Sequence, residues 1–218
     1  MAEIGLLSDL EIFSTNMTIA QVATTELGGD FALSVGGSSG TQNNKIANIL
    51  PKTDANLAEY LGQIRGSLTL DIRPKVLQAQ SSERRIGLTA MQSQRDVQTA
   101  GNLYFGYVLY STVEEDQIVA ISKSVSGLDA ALVILASDPY LMVVDTTFSF
   151  RFVWDYDADS GQILLQCWIG PDRANLTKVV EYIDPSPLTT SVGEGFGHVG
   201  LANGLSTWYV DDLQLAEV

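Results

Sequence analysis

Apolar and polar residues alternate with a period of two along most of the chain. Leu68, Leu70 and Ile72 alternate with Thr69, Asp71 and Arg73, and Phe148, Phe150, Phe152 and Trp154 alternate with Ser149, Arg151 and Val153. Successive side chains of a strand point to opposite sides of a sheet, so each segment predicts one buried and one outward face. The segment LYFGYVLYS (Leu103 to Ser111) is aromatic on both faces and predicts a central strand. QIVAISKS, ALVILAS and QILLQCWI add further strands, for about a dozen in all, separated by Gly, Asn, Asp and Ser clusters. So many short strands predict an all-β protein, an antiparallel β-sandwich or barrel.

One stretch departs from this period. In TDANLAEYLGQIRG, Leu57, Tyr60, Leu61 and Ile64 fall at helical spacing. Thr53 or Asp54 is placed to cap the start and Gly66 to end it, which predicts a short helix near 54–65. GGSSGTQNN (Gly36 to Asn44) reads as a loop, with strand-like sequence resuming on both sides. With no repeat and no linker, residues 1–218 are expected to form a single domain. Its first 30 residues would be an extended arm plus a first strand.

The C-terminal third is the most informative. FSFRFVWDYDADSGQILLQCWIG predicts a hairpin closed by Asp157, Asp159 and Gly161, with Ile163, Leu165, Cys167 and Ile169 on one face. In the last strand Trp208 and Val210 share a face, whereas after Asp211-Asp212 the apolar residues are Leu213 and Leu215. A one-residue bulge at the Asp pair would return both sets to the core. The glycine-flanked strand (Gly197, Val199, Gly200, Leu201) followed by Trp208, Tyr209, Val210, Asp211, Asp212 and Leu213 resembles the closing strands of concanavalin-A-like jelly rolls. That superfamily includes laminin-G-like and glucanase-like domains. The resemblance covers residues 146–218. It implies a jelly-roll sandwich and leaves function open, because the architecture hosts lectins, hydrolases, lyases and structural proteins.

Charge narrows the partners. Lys and Arg number 12 against 26 Asp and Glu, a formal −14, and 16 of the acids fall in residues 109–218. Such a surface repels phosphate backbones and anionic lipid, so neither nucleic acid nor membrane is an expected partner. Half the basic residues lie between Arg65 and Arg95. One cysteine, Cys167, and one histidine, His198, exclude an internal disulfide framework and a His-cluster metal site. Glu3, Asp9 and Glu11 interrupt the start where a signal peptide would be basic and then apolar, so export by that route is not expected.

Candidate chemistry is sparse. No Glu-x-Asp-x-x-Glu string marks a glucanase, and Glu114, Glu115 and Asp116 are consecutive, as in a turn. Gly36-Gly37-Ser38-Ser39-Gly40 matches the nucleophile-elbow spelling without the strand-to-helix context that such an elbow needs, and His198 would be the available base. Asp155, Asp157 and Asp159 alternate as in a calcium loop but lack its sixth-position Gly and twelfth-position Glu. The resemblance adds a second candidate calcium position at Asp211 or Asp212, with Asp9 or Glu11 contributing from the first strand. Tyr140, Tyr156 and Trp208 are candidate sugar platforms, each equally suited to a core.

These observations predict a non-enzymatic structural or adhesion module with no required cofactor, calcium aside. The first expectation is a virion component assembled in a host cytoplasm, such as a capsid decoration or tail appendage protein of a phage, with protein partners in a homo-oligomer or capsid or tail lattice. The alternative is a lectin-like carbohydrate-binding module with glycans as partners. A polysaccharide hydrolase or lyase ranks third.

Overall fold

The computed structural model describes residues 2–4, 10–15, 17–27, 31–37, 45–51, 63–77, 84–97, 100–111, 113–128, 132–188, 195–200 and 206–216. Among them the regular structure is fifteen strands and one exposed 3-10 turn, Glu114–Asp116, where three adjacent acids predicted a turn. The predicted helix near 54–65 falls mostly on residues 52–62, outside the described residues. Its last residue, Arg65, instead begins a strand.

The strands are β1 (Ala2–Ile4), β2 (Leu10–Thr15), β3 (Met17–Ala23), β4 (Phe31–Gly37), β5 (Lys45–Pro51), β6 (Arg65–Leu77), β7 (Arg84–Ala90), β8 (Leu103–Tyr110), β9 (Ile118–Ser124), β10 (Val133–Pro139), β11 (Phe148–Asp157), β12 (Gln162–Gly170), β13 (Thr177–Asp184), β14 (Gly195–Gly200) and β15 (Ser206–Ala216). They form two antiparallel sheets. Sheet A runs β13-β12-β11-β6-β15-β4-β3, with β1 also paired to β15, and sheet B runs β10-β9-β8-β7-β14-β5-β2. The N-terminal segment, expected as an arm and one strand, supplies three strands, one of them on an edge of each sheet. Among the described residues no helix is long and apolar enough to cross a membrane.

The inner faces bury the predicted apolar sets. Leu68, Leu70 and Ile72 of β6 and Phe150, Phe152 and Trp154 of β11 meet Ile86, Leu88, Tyr104 and Val108 of sheet B. Cys167 is buried in this core, and burial pushes its thiol well up. β8 is buried on both faces, because Leu103, Phe105, Tyr107 and Leu109 join Val97, Ala120 and Leu128 in a second apolar cluster outside sheet B. The anticipated bulge in β15 is present: Asp211 lies opposite Asp71 but Gln214 lies opposite Thr69, one residue more on β15 than on β6. Trp208, Val210, Leu213 and Leu215 are all buried as a result. A second shift leaves Lys75 as the extra residue on β6, beside Pro74, which has no N–H for the ladder.

The two sheets are also tied by polar contacts. Tyr104 of β8 donates to Asp184 Oδ2 at 2.5 Å, and Lys123 Nζ lies 2.7 Å from the same oxygen. Asp184 Oδ1 accepts from the Ser186 N–H at 2.9 Å, and the Tyr104 oxygen accepts from the Leu188 N–H. Burial works to raise the Asp184 carboxyl, but the hydrogen bonds from Lys123 and Tyr104 outweigh it and hold the group below the usual aspartate range.

Candidate functional site

The residues singled out from sequence do not converge. Trp208 is fully buried between the sheets and offers no ring face to a sugar, as alternation with Val210 in a closing strand dictates. Tyr140 is half-buried and packs edge-on against Phe148, with ring centres 5.9 Å apart. Tyr156 lies eight positions further along β11, about 27 Å away at strand rise, so these two tyrosines do not share a site.

The three hairpin acids are likewise dispersed. Asp155 pairs with Arg65 at 3.5 Å. Asp157 is held below the usual range by hydrogen bonds from Ser160 and from the Asp159 N–H, the latter at 3.0 Å, so it serves the turn. Asp159 is exposed at the tip. Gly161 closes the turn at φ +68°, where a side chain would be strained.

Asp211 stands beside Asp71 in register, and the Asp212 side chain lies outside the described residues. Glu11, the suggested partner of Asp211 in a calcium site, is on β2 in the other sheet and is engaged by Arg95 at 2.7 Å. Asp9 lies outside the described residues. Among the described residues no three His, Cys, Asp or Glu side chains group as a metal site. Gly36 and Gly37 end β4, and residues 38–44, with the rest of the elbow-like string, lie outside the described residues. His198 falls on β14, opposite Ala47 and Ile86, and its side chain also lies outside them.

The faces left by the sandwich differ in chemistry. The middle of the outer face of sheet B is sealed by the second apolar cluster. Beside that cluster lies a buried polar corner, where Asn48 Nδ2 donates to the Arg95 carbonyl at 2.7 Å and the Gln92 amide sits 2.6 Å from Thr89 Oγ1. The outer face of sheet A is polar instead. Pairing across five strands places Gln214, Thr69, Arg151, Trp168 and Lys178 in one row. Directly opposed side chains lie about 5 Å apart at Cβ. The row therefore presents an amide, a guanidinium, an indole and an ammonium, with the Thr69 side chain between the first two buried.

Neighbouring rows fix these groups. Gln166 Oε1 accepts from Trp168 Nε1 at 3.1 Å, and Gln166 donates to Glu181 at 2.7 Å. Lys178 pairs with Glu181 at 2.5 Å. Arg151 Nε donates to Thr69 Oγ1 at 3.0 Å. One step along, Asp71 accepts from Ser149 Oγ at 2.5 Å and from Arg173 Nε at 3.0 Å. An open cleft of about 470 Å³ borders this row, with Asp71, Thr147 and Ser149 in its floor and Pro171, Asp172 and Arg173 in its wall.

Trp168 was not among the sequence candidates, yet the signal was available. If Ile163, Leu165, Cys167 and Ile169 are the buried set of β12, then Leu164, Gln166 and Trp168 must face outward. Trp168 is half-buried there, with polar neighbours on each side.

No family model and no curated protein sequence matches the chain. Solved structures do. An endo-β-1,4-glucuronan lyase from the fungus Trichoderma reesei superposes with TM-score 0.61 at 12% identity, over 98% of this chain and 93% of that one. The Ca2+/Man3GlcNAc-bound exoplasmic/lumenal domain of VIP36 gives 0.55 at 8% identity, over 98% and 85%. The carbohydrate-binding module CBM66 from Bacillus subtilis gives 0.51 at 15% identity, over 94% and 97%. The chain has a concanavalin-A-like jelly-roll fold. At these identities the likeness establishes the fold alone.

Proposed function

We propose that this jelly roll is a carbohydrate-binding module whose ligand lies across the outer face of sheet A. The observation that carries the reading is the row Arg151, Trp168 and Lys178. It holds one half-exposed aromatic ring among side chains that offer hydrogen bonds, on a sandwich whose other outer face is sealed at its centre by apolar packing. Sugars present apolar C–H faces and hydroxyl edges, and such a row answers both. The lectin and carbohydrate-binding-module neighbours support this reading over the virion role, for which neither the fold nor the neighbours described above give support. The reading is of binding without turnover. In its support, Asp71 is held by Ser149 and Arg173, and Asp172 accepts from the N–H groups of Ala174 and Asn175, so both cleft carboxylates have structural duties.

Screening the full chain on a glycan array, then measuring a positive sugar by calorimetry, tests the reading. Trp168→Ala is expected to weaken binding about tenfold or more, because truncating an aromatic anchor costs on the order of 1–2 kcal/mol. Its thermal midpoint should stay near that of the native protein, because the indole is outside the core. Undiminished binding by this variant would move the site elsewhere, and an array blank throughout would remove the reading. Binding is further expected to survive EDTA, since the hairpin acids do not converge. A complete loss on chelation that calcium restores would show that a metal takes part.

A further inference from the structure

The cations of this face are not equally occupied. Arg173 is matched by Asp71, Lys178 by Glu181, and Arg73 and Lys75 by Glu26 and Asp145. Arg151 differs. Its Nε is used by Thr69, but among the described residues no carboxylate lies within ion-pair distance and no acceptor meets its terminal nitrogens. The Arg151 side chain is partly exposed on this face. It stands directly opposite Trp168, one strand from the cleft wall carrying Arg173. On a chain with 26 acids and 12 bases, Arg151 in the middle of this sheet face has no carboxylate partner among the described residues.

Resting on the reading of this face as a sugar site, we propose that the ligand is an acidic saccharide whose carboxylate is bound end-on by Arg151 while its ring lies on Trp168. Fixing Nε on Thr69 orients the guanidinium and leaves the two terminal amino groups as a pair. That fork matches the two oxygens of a planar carboxylate. The formal −14 does not forbid this, because at physiological ionic strength charges more than about 8 Å away are largely screened. The charge that the ligand meets at contact is the local one, where Arg151 is an unmatched group among the described residues.

The test compares four hexasaccharides on the full chain by calorimetry: β-1,4-linked glucuronate, its methyl ester, the neutral glucose counterpart, and that counterpart sulfated at C6. The glucuronate is expected to bind at least tenfold more tightly than the ester or the neutral sugar. Arg151→Gln should erase that difference, so that acid, ester and neutral sugar bind alike. Arg151→Lys should restore part of it, since charge returns without the fork. Equal binding of acid, ester and neutral sugar, unchanged in Arg151→Gln, would overturn the inference while leaving the sugar site standing. Tighter binding of the sulfated sugar would overturn the carboxylate assignment, and failure of all four would count against both readings. If Arg151→Gln does not fold, titrations of the native chain followed by the Trp168 indole N–H resonance should reach half-saturation at a glucuronate concentration at least tenfold below that of its ester, and equal midpoints refute the proposal.

Discussion

Replacing Asp184 with alanine is expected to destabilise the protein by about 3 kcal/mol, read as a lowered urea midpoint at unchanged slope. The carboxylate is almost fully buried and receives Tyr104, Lys123 and the Ser186 N–H, while Lys123 keeps about a fifth of its side chain in solvent. That partial exposure places the cost at the lower end for a broken buried pair. Alanine leaves an ammonium and a phenol without their shared acceptor at the place where β8 and β9 of sheet B meet β13 of sheet A. The same group makes stability acid-sensitive. Its folded-state pKa lies below the unfolded value, so its contribution is complete above about pH 4 and is lost as the pH falls through the folded value. Urea midpoints taken between about pH 5 and about pH 2.5 should therefore fall less steeply for Asp184→Ala than for the native chain. Parallel slopes would show that the group is not held ionised.

Gly87→Ala is expected to be at least as damaging, costing about 3 kcal/mol or more, the upper end for overpacking. A methyl group there would stand 2.0 Å from the Gly106 carbonyl oxygen and 2.5 Å from the Tyr107 Cα, both backbone atoms of the adjacent central strand. They yield only if the β7–β8 ladder opens. Gly106→Ala is a graded comparison: its methyl would meet the Phe152 ring at 2.4 Å, across the core. A ring shifts more readily than a backbone, so this variant should lose less. Thermal melts of the two purified variants decide the order, and a Gly87→Ala protein melting with the native chain would refute the packing argument.

Much of the sandwich was legible because its signals are local. The bulge at Asp211-Asp212 follows from one break in alternation, and the β11–β12 hairpin from two apolar runs around Asp and Gly. The functional surface was harder to read. Trp208 met the description of a sugar platform and of a core residue equally well, and only the packing of sheet B against β15 assigns it to the core. Glu11 and Asp211 were proposed together for calcium, yet β2 and β15 belong to different sheets.

By itself the amino-acid sequence determined that strands form, which face of each is apolar, and that Trp168 turns away from the residues burying Cys167. It did so because side-chain direction in a strand repeats every two residues whatever the neighbours are. Only the tertiary structure decided that β6 pairs with β11 some eighty positions later, bringing Thr69, Arg151 and Trp168 side by side. It also decided that the middle of the outer face of sheet B is sealed by apolar packing while the outer face of sheet A stays polar. Strand neighbours and covering loops are chosen by burial summed over the whole chain, and no local period encodes that sum.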